Sequence, residues 1–235
     1  MRLLAFDTAT PVTTVALLEA DRVLVEERRP GGQHSRALLP LIAASLDAAR
    51  WPADAIEAVA VGLGPGSFTG VRIGLTVAKT LASVRRLPLV GICSLEALAL
   101  NAEGGAERVC PALDALKGEV FAACYDVGQS PPRVLSPPAA RQPDDWAAEL
   151  AASGDRCTLL GSGIERYRER FVAALGDRLQ LPAGSAAHGL SAARLGRLAR
   201  DRLQRGAVAD PQRLEPLYCR LSEAELKRRP QPPGG

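Results

Sequence analysis

Three short apolar runs in hairpin order, followed by helix and strand in alternation, leave few topologies open to this chain. Residues 2–6 read as a strand that stops at the turn formers Asp7-Thr8-Ala9-Thr10-Pro11. Residues 12–19 are β-branched and apolar, and 23–27 alternate after a turn at Ala20-Asp21. After the breaker Pro30-Gly31-Gly32, Ser35 is expected to cap a helix over 36–50. A strand at 58–61, a helix over 68–86 capped by Ser67, a strand at 89–92 and a helix capped by Ser94 complete the order βββαβαβα.

Three antiparallel strands joined to parallel ones by crossover helices make a mixed α/β sheet, and Asp7 falls at its carboxyl edge, where such sheets present ligands. This is the layout of one lobe of the actin, Hsp70 and sugar-kinase type. Beyond it the pattern gives strands at 109–113, 119–125 and 157–160, helices at 164–175 and 191–205, and a Pro-rich loop at 130–143. We read a first lobe at 1–103, a reduced second lobe at 104–215, a return segment at 216–227 and a disordered tail at 228–235. The tail, RRPQPPGG, is too rich in Pro and Gly to pack.

Composition narrows the function. Of 235 residues 47% are hydrophobic, and 29 basic against 26 acidic side chains leave a net charge of only +3, too little for a dedicated polyanion binder. The apolar start is cut short by Asp7, so no leader or membrane span is expected and the protein is placed in the cytoplasm. Five cysteines without a C-x-x-C pair, and histidines only at 34 and 188, support neither a disulfide framework nor a zinc site. Small buried thiols are expected.

The most distinctive segment is Gly62-Leu-Gly-Pro-Gly-Ser-Phe-Thr-Gly70. It lacks the Lys of a P-loop and the spacing of a dinucleotide fingerprint, so it is either a tight strand-to-helix turn or an anion cradle at a helix N-terminus. On the helix that follows, Thr69, Arg72, Thr76, Lys79, Ser83 and Arg86 form one polar stripe. The remaining arc of roughly 200° is apolar or small, twice what a sheet face needs. Gly70, Gly74, Ala78 and Ala82 make a low ridge within it. The helix over 36–50 is also apolar on more than one side, so the pair is expected to expose a patch fit for a second protein, and Leu75→Glu or Val71→Glu is expected to abolish the association.

Other constellations carry less. Asp7 and Asp114 each end a strand before a turn and, with Thr8, form possible vestigial nucleotide loops; an alternative reading is a nucleotide-dependent phosphotransferase using the two carboxylates. His34 beside Ser35 cannot make a nucleophile–base pair, which argues against hydrolysis. The arginines Arg194, Arg197, Arg200, Arg202 and Arg205 read as a solvated helix face, with contacts to phosphates as the alternative.

The segments LLAFDTAT, HSRALLPLI, VGLGPGSFTGVRIGLTVAKTLA, LPLVGICSLEALA, PALDALKGEVFAACYD and PLYCR resemble the TsaB (YeaZ) family of bacterial tRNA threonylcarbamoyladenosine synthesis. The resemblance implies a two-lobed actin-like (ASKHA) fold, no cofactor and no catalytic residue of its own. It implies pairing with the catalytic homologue TsaD, an ATPase partner TsaE, contact with tRNA through the complex, and a possible homodimer through the same helices. It puts that contact on His34, Ser35, Leu38, Leu39, Ile42, Ser67, Phe68, Thr69, Val71, Arg72, Leu75 and Ala78. Where the catalytic homologue carries metal-holding histidines, this chain has Ser94-Leu95-Glu96-Ala97-Leu98, which cannot replace imidazoles. The family's Asp-Ala-Arg run is here Asp114-Ala115-Leu116-Lys117, so a guanidinium is missing from that position.

Overall fold

The computed structural model describes residues 1–102 and 108–220. The first part holds β1 (Arg2–Asp7), β2 (Thr13–Glu19), β3 (Arg22–Arg29), α1 (His34–Ala49), β4 (Ala58–Gly62), α2 (Phe68–Arg85), β5 (Leu89–Ile92) and α3 (Ser94–Ala99), in the order expected. Its sheet runs β3-β2-β1-β4-β5, antiparallel across the first three strands of the chain and parallel from β1 through β4 to β5.

The second part repeats the plan with β6 (Arg108–Leu116), β7 (Glu119–Asp126), β8 (Arg133–Arg141), α4 (Pro143–Ala152), β9 (Cys157–Leu160), α5 (Ser162–Arg166), α6 (Arg168–Leu175), β10 (Leu179–Gln180) and α7 (Ala192–Gln204). The order β10-β9-β6-β7-β8 is that of the first sheet read backwards, so the lobes share one topology. Among the described residues no helix is long and apolar enough to cross a membrane.

One face of the first sheet, through Leu4, Phe6, Val15 and Leu17, packs on Leu38, Leu41 and Ile42 of α1 and on Leu75, Ala78 and Ala82 of α2. The opposite face, Leu3, Ala5, Ala16 and Leu18, packs on Ala192, Leu195, Leu198 and Ala199 of α7. Gly196 sits where a Cβ would lie 2.5 Å from Leu18 Cδ1, so the helix backbone rests on the Leu18 side chain. The reading of 104–215 as one second lobe is therefore corrected, because α7 belongs to the first lobe by packing. The 103/104 boundary, residues 221–227 of the return segment and the tail at 228–235 lie outside the described residues.

Four local expectations also change. The Pro-rich stretch at 130–143 contains β8, an edge strand; Pro137 and Pro138 fall at a register shift between Ala122 and Cys124 of β7, a place where a strand tolerates a missing N–H. The helix over 164–175 is two helices broken at Tyr167. Ser35 and Ser94 lie inside helices whose N-caps are Gln33 and Cys93, while Ser67 does cap α2 through the Gly70 amide. Cys110 and Cys124, expected as free thiols, are joined: β6 and β7 pair Val109 with Tyr125 and Ala112 with Ala122, so the two cysteines face one another across the ladder.

Candidate functional site

The glycine segment lies between the carboxyl end of β4 and the start of α2, and its free space is occupied by the chain itself. A Cβ at Gly62 would lie 1.9 Å from Asp7 Oδ2, one at Gly66 2.2 Å from the Ala9 carbonyl oxygen, and one at Gly70 2.1 Å from the Thr8 carbonyl oxygen. These glycines permit the turn after β1 to enter the loop, which is the close backbone approach a ligand phosphate would otherwise use. The Ser67 amide donates to Ala9 O at 2.7 Å, and the Thr8 hydroxyl donates to Gly70 O at 2.7 Å. Of the two readings open in the sequence, the tight turn describes this loop.

Asp7 is fully committed. Oδ1 accepts from the Ala9 amide at 2.6 Å and Oδ2 from the Ser94 hydroxyl at 2.5 Å, while Ser94 Oγ accepts from the Gly64 amide. Burial pushes the Asp7 carboxyl up to about 6, against the lowering pull of the bonds from Ser94, Ala9 and Thr8. Ser94, which stands where the catalytic homologue's histidine is expected, thus ties the start of α3 to the end of β1.

Asp114 is committed as well: Oδ1 accepts from the Leu116 amide and Oδ2 from Arg166 at 2.8 Å. A guanidinium does reach this carboxylate, from Arg166 at the end of α5. Nearby, Glu96 is nearly buried and pairs with Arg202 of α7 at 2.6 Å; burial raises its carboxyl and the arginine opposes the rise. Among the described residues no three His, Cys, Asp or Glu side chains converge as metal ligands would.

The residues expected at a partner face divide into two groups. Leu38, Ile42, Val71, Leu75 and Ala78 are buried within the monomer, as is His34, whose Nδ1 lies 2.7 Å from the Thr13 hydroxyl. Burial lowers the His34 pKa. These six point inward because the low ridge of α2 seats the β1–β2 turn: a Cβ at Gly74 would lie 2.4 Å from the Thr8 hydroxyl oxygen. The inward group is thus corrected from contact surface to core.

Ser35, Leu39, Ser67, Thr69 and Arg72 are exposed and Phe68 is half-buried. With them on the outer side of α1 lie Pro40, Ala43, Ala44 and Ala48, and on that of α2 Thr76, Thr80 and Val84. Leu39 is 56% and Val84 77% exposed, and between Leu39 and Ala48 Asp47 is the sole exposed charge on α1.

At one end of this face the chain returns. The Ala209 amide donates to Leu89 O and the Leu217 amide to Leu63 O, which lays the segment along the sheet edge. Tyr218 stacks on Phe68 with centroids 5.2 Å apart, and Arg72 lies 3.7 Å over the Phe68 ring while its Nε donates to the Tyr218 hydroxyl at 2.9 Å. The i, i+4 spacing of Phe68 and Arg72 was legible, but Tyr218 joins them across 146 residues and gave no local signal.

The Arg-rich helix is mostly tied into the fold: Arg200 pairs with Asp21 and Asp201, Arg202 with Glu96 and the Gly91 carbonyl, and Arg205 donates to Ser130 O. Thr8→Val keeps the shape of the turn but removes the buried bond to Gly70 O. It is expected to lower stability by about 1–2 kcal/mol, read as a fall in thermal midpoint of a few degrees.

A family model described as TsaD, tRNA N6-adenosine threonylcarbamoyltransferase, matches residues 29–228. The chain is 31% identical over 229 residues to the tRNA threonylcarbamoyladenosine biosynthesis protein TsaB of Bacillus subtilis, covering 97% of each chain. It is 41% identical over 127 residues to the TsaB protein of Escherichia coli, a match spanning 53% of this chain and about half, 55%, of that relative. The structure is similar to that of a Pseudomonas aeruginosa protein described as uncharacterized with similarity to peptidase YeaZ, with TM-score 0.80 and 34% identity over 93% of this chain and 99% of that one. A likeness in fold alone extends to the ROK hexokinase of Thermus thermophilus, at TM-score 0.55 and 13% identity over 88% of this chain and all of that one, which makes the two lobes an ASKHA fold. By the extent of these matches, the chain belongs to the TsaB (YeaZ) family.

Proposed function

We propose that this chain is a non-catalytic subunit in the threonylcarbamoylation of the adenosine next to the anticodon of tRNA. It acts by pairing, through the outer faces of α1 and α2, with a TsaD-type catalytic homologue that it activates. The observation that carries this reading is the contrast between two regions of one lobe. The loop and carboxylates that would handle a phosphate are consumed by internal bonds, while the adjoining helix pair exposes small and apolar side chains with few charges. Such a face suits a helix pair from a related lobe, giving a four-helix contact with an apolar centre and a polar rim. The names of the TsaB relatives and the TsaD description of the matching family model support the pathway.

In this reading an ATPase of the TsaE type joins the complex, tRNA is met through the complex, and the work is done in the cytoplasm. A second copy is the natural competitor for the same face. The test is Leu39→Glu, which places a charge at the centre of the exposed face. Calorimetric titration against the TsaD-type protein of the same cell is expected to show at least a 100-fold loss of affinity with an unchanged melting midpoint. Modified adenosine in tRNA, measured by nucleoside mass spectrometry in a strain relying on the variant, should fall with it. Wild-type affinity in the variant, or turnover of Mg-ATP by the isolated chain, would overturn the proposal.

A further inference from the structure

The second lobe contains a cavity of about 220 Å³. It uses no residue of α1, α2 or the glycine segment. It lies past the carboxyl ends of β9 and β10, two parallel strands, between α5 and the start of α6 on one side and the 181–188 segment on the other. Ligands of α/β sheets collect at such edges.

Its walls have two characters. Ile164, 1% exposed, forms the floor, and half-buried Leu181 and Pro182 form an apolar side. Glu165 and Arg168 stand at the mouth on successive helices, and neither side chain makes an ion pair or hydrogen bond among the described residues. His188 completes the lining. Its Nδ1 accepts the Gly161 amide at 3.0 Å, so the neutral ring carries its proton on Nε2 and acts there as a donor. Gly161 cannot be another residue, because a Cβ there would meet the Ala112 carbonyl at 2.2 Å, and this fixes the amide that orients the ring. The 187–189 stretch is held in turn by Asn101, whose amide donates to Ala187 O and Gly189 O. The wall is therefore built into both lobes.

An unpartnered cation, an unpartnered anion, a neutral donor and an apolar floor around one small space define a complementary ligand. We propose that this cavity binds a small zwitterion, an aliphatic α-amino acid. Its carboxylate meets Arg168 and the His188 Nε2–H, its ammonium meets Glu165, and its side chain rests on Ile164, Leu181 and Pro182. A nucleotide fits poorly: the volume falls below the ~300 Å³ at which drug-sized pockets begin, and the Glu165 carboxylate opposes phosphate. The proposal is independent of the docking reading.

The test titrates the full chain, followed by backbone amide NMR, with L-valine and L-leucine. Isobutylamine, 3-methylbutanoate and AMP serve as the probes lacking carboxylate, lacking ammonium, and carrying a nucleotide. At least one amino acid is expected to bind with Kd of about 0.1–1 mM, shifting the Gly161 and Ile164 amides. Each truncated probe should bind at least 10-fold more weakly. Arg168→Gln and Glu165→Gln, both at exposed positions, should each weaken binding at least 10-fold at an unchanged melting midpoint. No shift up to about 10 mM amino acid, equal binding of 3-methylbutanoate, or tighter binding of AMP would each overturn it.

Discussion

Leu75→Glu is expected to unfold the first lobe rather than to separate two proteins. Leu75 is 5% exposed and packs among Leu4, Phe6, Val59 and Val61 behind α2. Removing the leucine alone costs about 2–5 kcal/mol, and a carboxylate in its place adds the penalty of a buried charge without a partner. A total of about 5 kcal/mol or more is comparable with the whole stability of an ordinary domain. Circular dichroism at 25 °C should show loss of cooperative melting, and Val71→Glu should behave alike. Leu39→Glu sits on the exposed side of α1, three residues before inward-facing Ile42, and should melt as the wild type does. If Leu75→Glu instead gave a folded monomer, the division of α2 into an inward and an outward side would be wrong.

Asp7→Asn is expected to gain stability relative to the wild type as pH rises. The Asp7 carboxyl is raised from 3.8 to about 6 by burial, so the folded chain holds this proton more tightly than the unfolded one. The sign follows from linkage. The contribution of Asp7 is most favourable below about pH 3.8 and is lost as pH climbs through about 6, leaving an ionised, buried carboxylate above that point. The difference in unfolding free energy between variant and wild type should grow by about 2 kcal/mol from pH 4.5 to pH 7.5. Chemical denaturation at those two pH values measures it, and comparing variant with wild type cancels the carboxylates whose pKa values are lowered, such as Asp126. A constant difference would mean that Asp7 is charged throughout.

Much of this architecture was legible in the amino-acid order. Short apolar runs bounded by turn formers, with alternation only at 23–27, gave β1 to β5, and the breaker before His34 and the Ser67 cap located α1 and α2. What could not be read was direction around a helix. The apolar arc of α2 is wide enough for two neighbours, and which half meets the sheet depends on the turn after β1 that enters the ridge at Gly70 and Gly74. Five of the twelve expected contact residues therefore lie fully on the exposed side, Phe68 is half-buried and six lie in the core. β8 was hidden because two prolines outweigh strand propensity in a local window, although an edge position accommodates them. The allegiance of α7 was hidden for a different reason: its apolar stripe matches either sheet, and only the long-range fold selects the first.

That allegiance bears on how the molecule is made. One side of the first sheet, including Leu3, Ala5 and Leu18, is covered by residues 192–204, so most of the chain must leave the ribosome before that side can be shielded from water. The nascent N-terminal half consequently carries a bare greasy slab through most of its synthesis. Its maturation is a closing act performed by α7, and a polypeptide stopped short of residue 192 would offer that slab to chaperones or to its own kind.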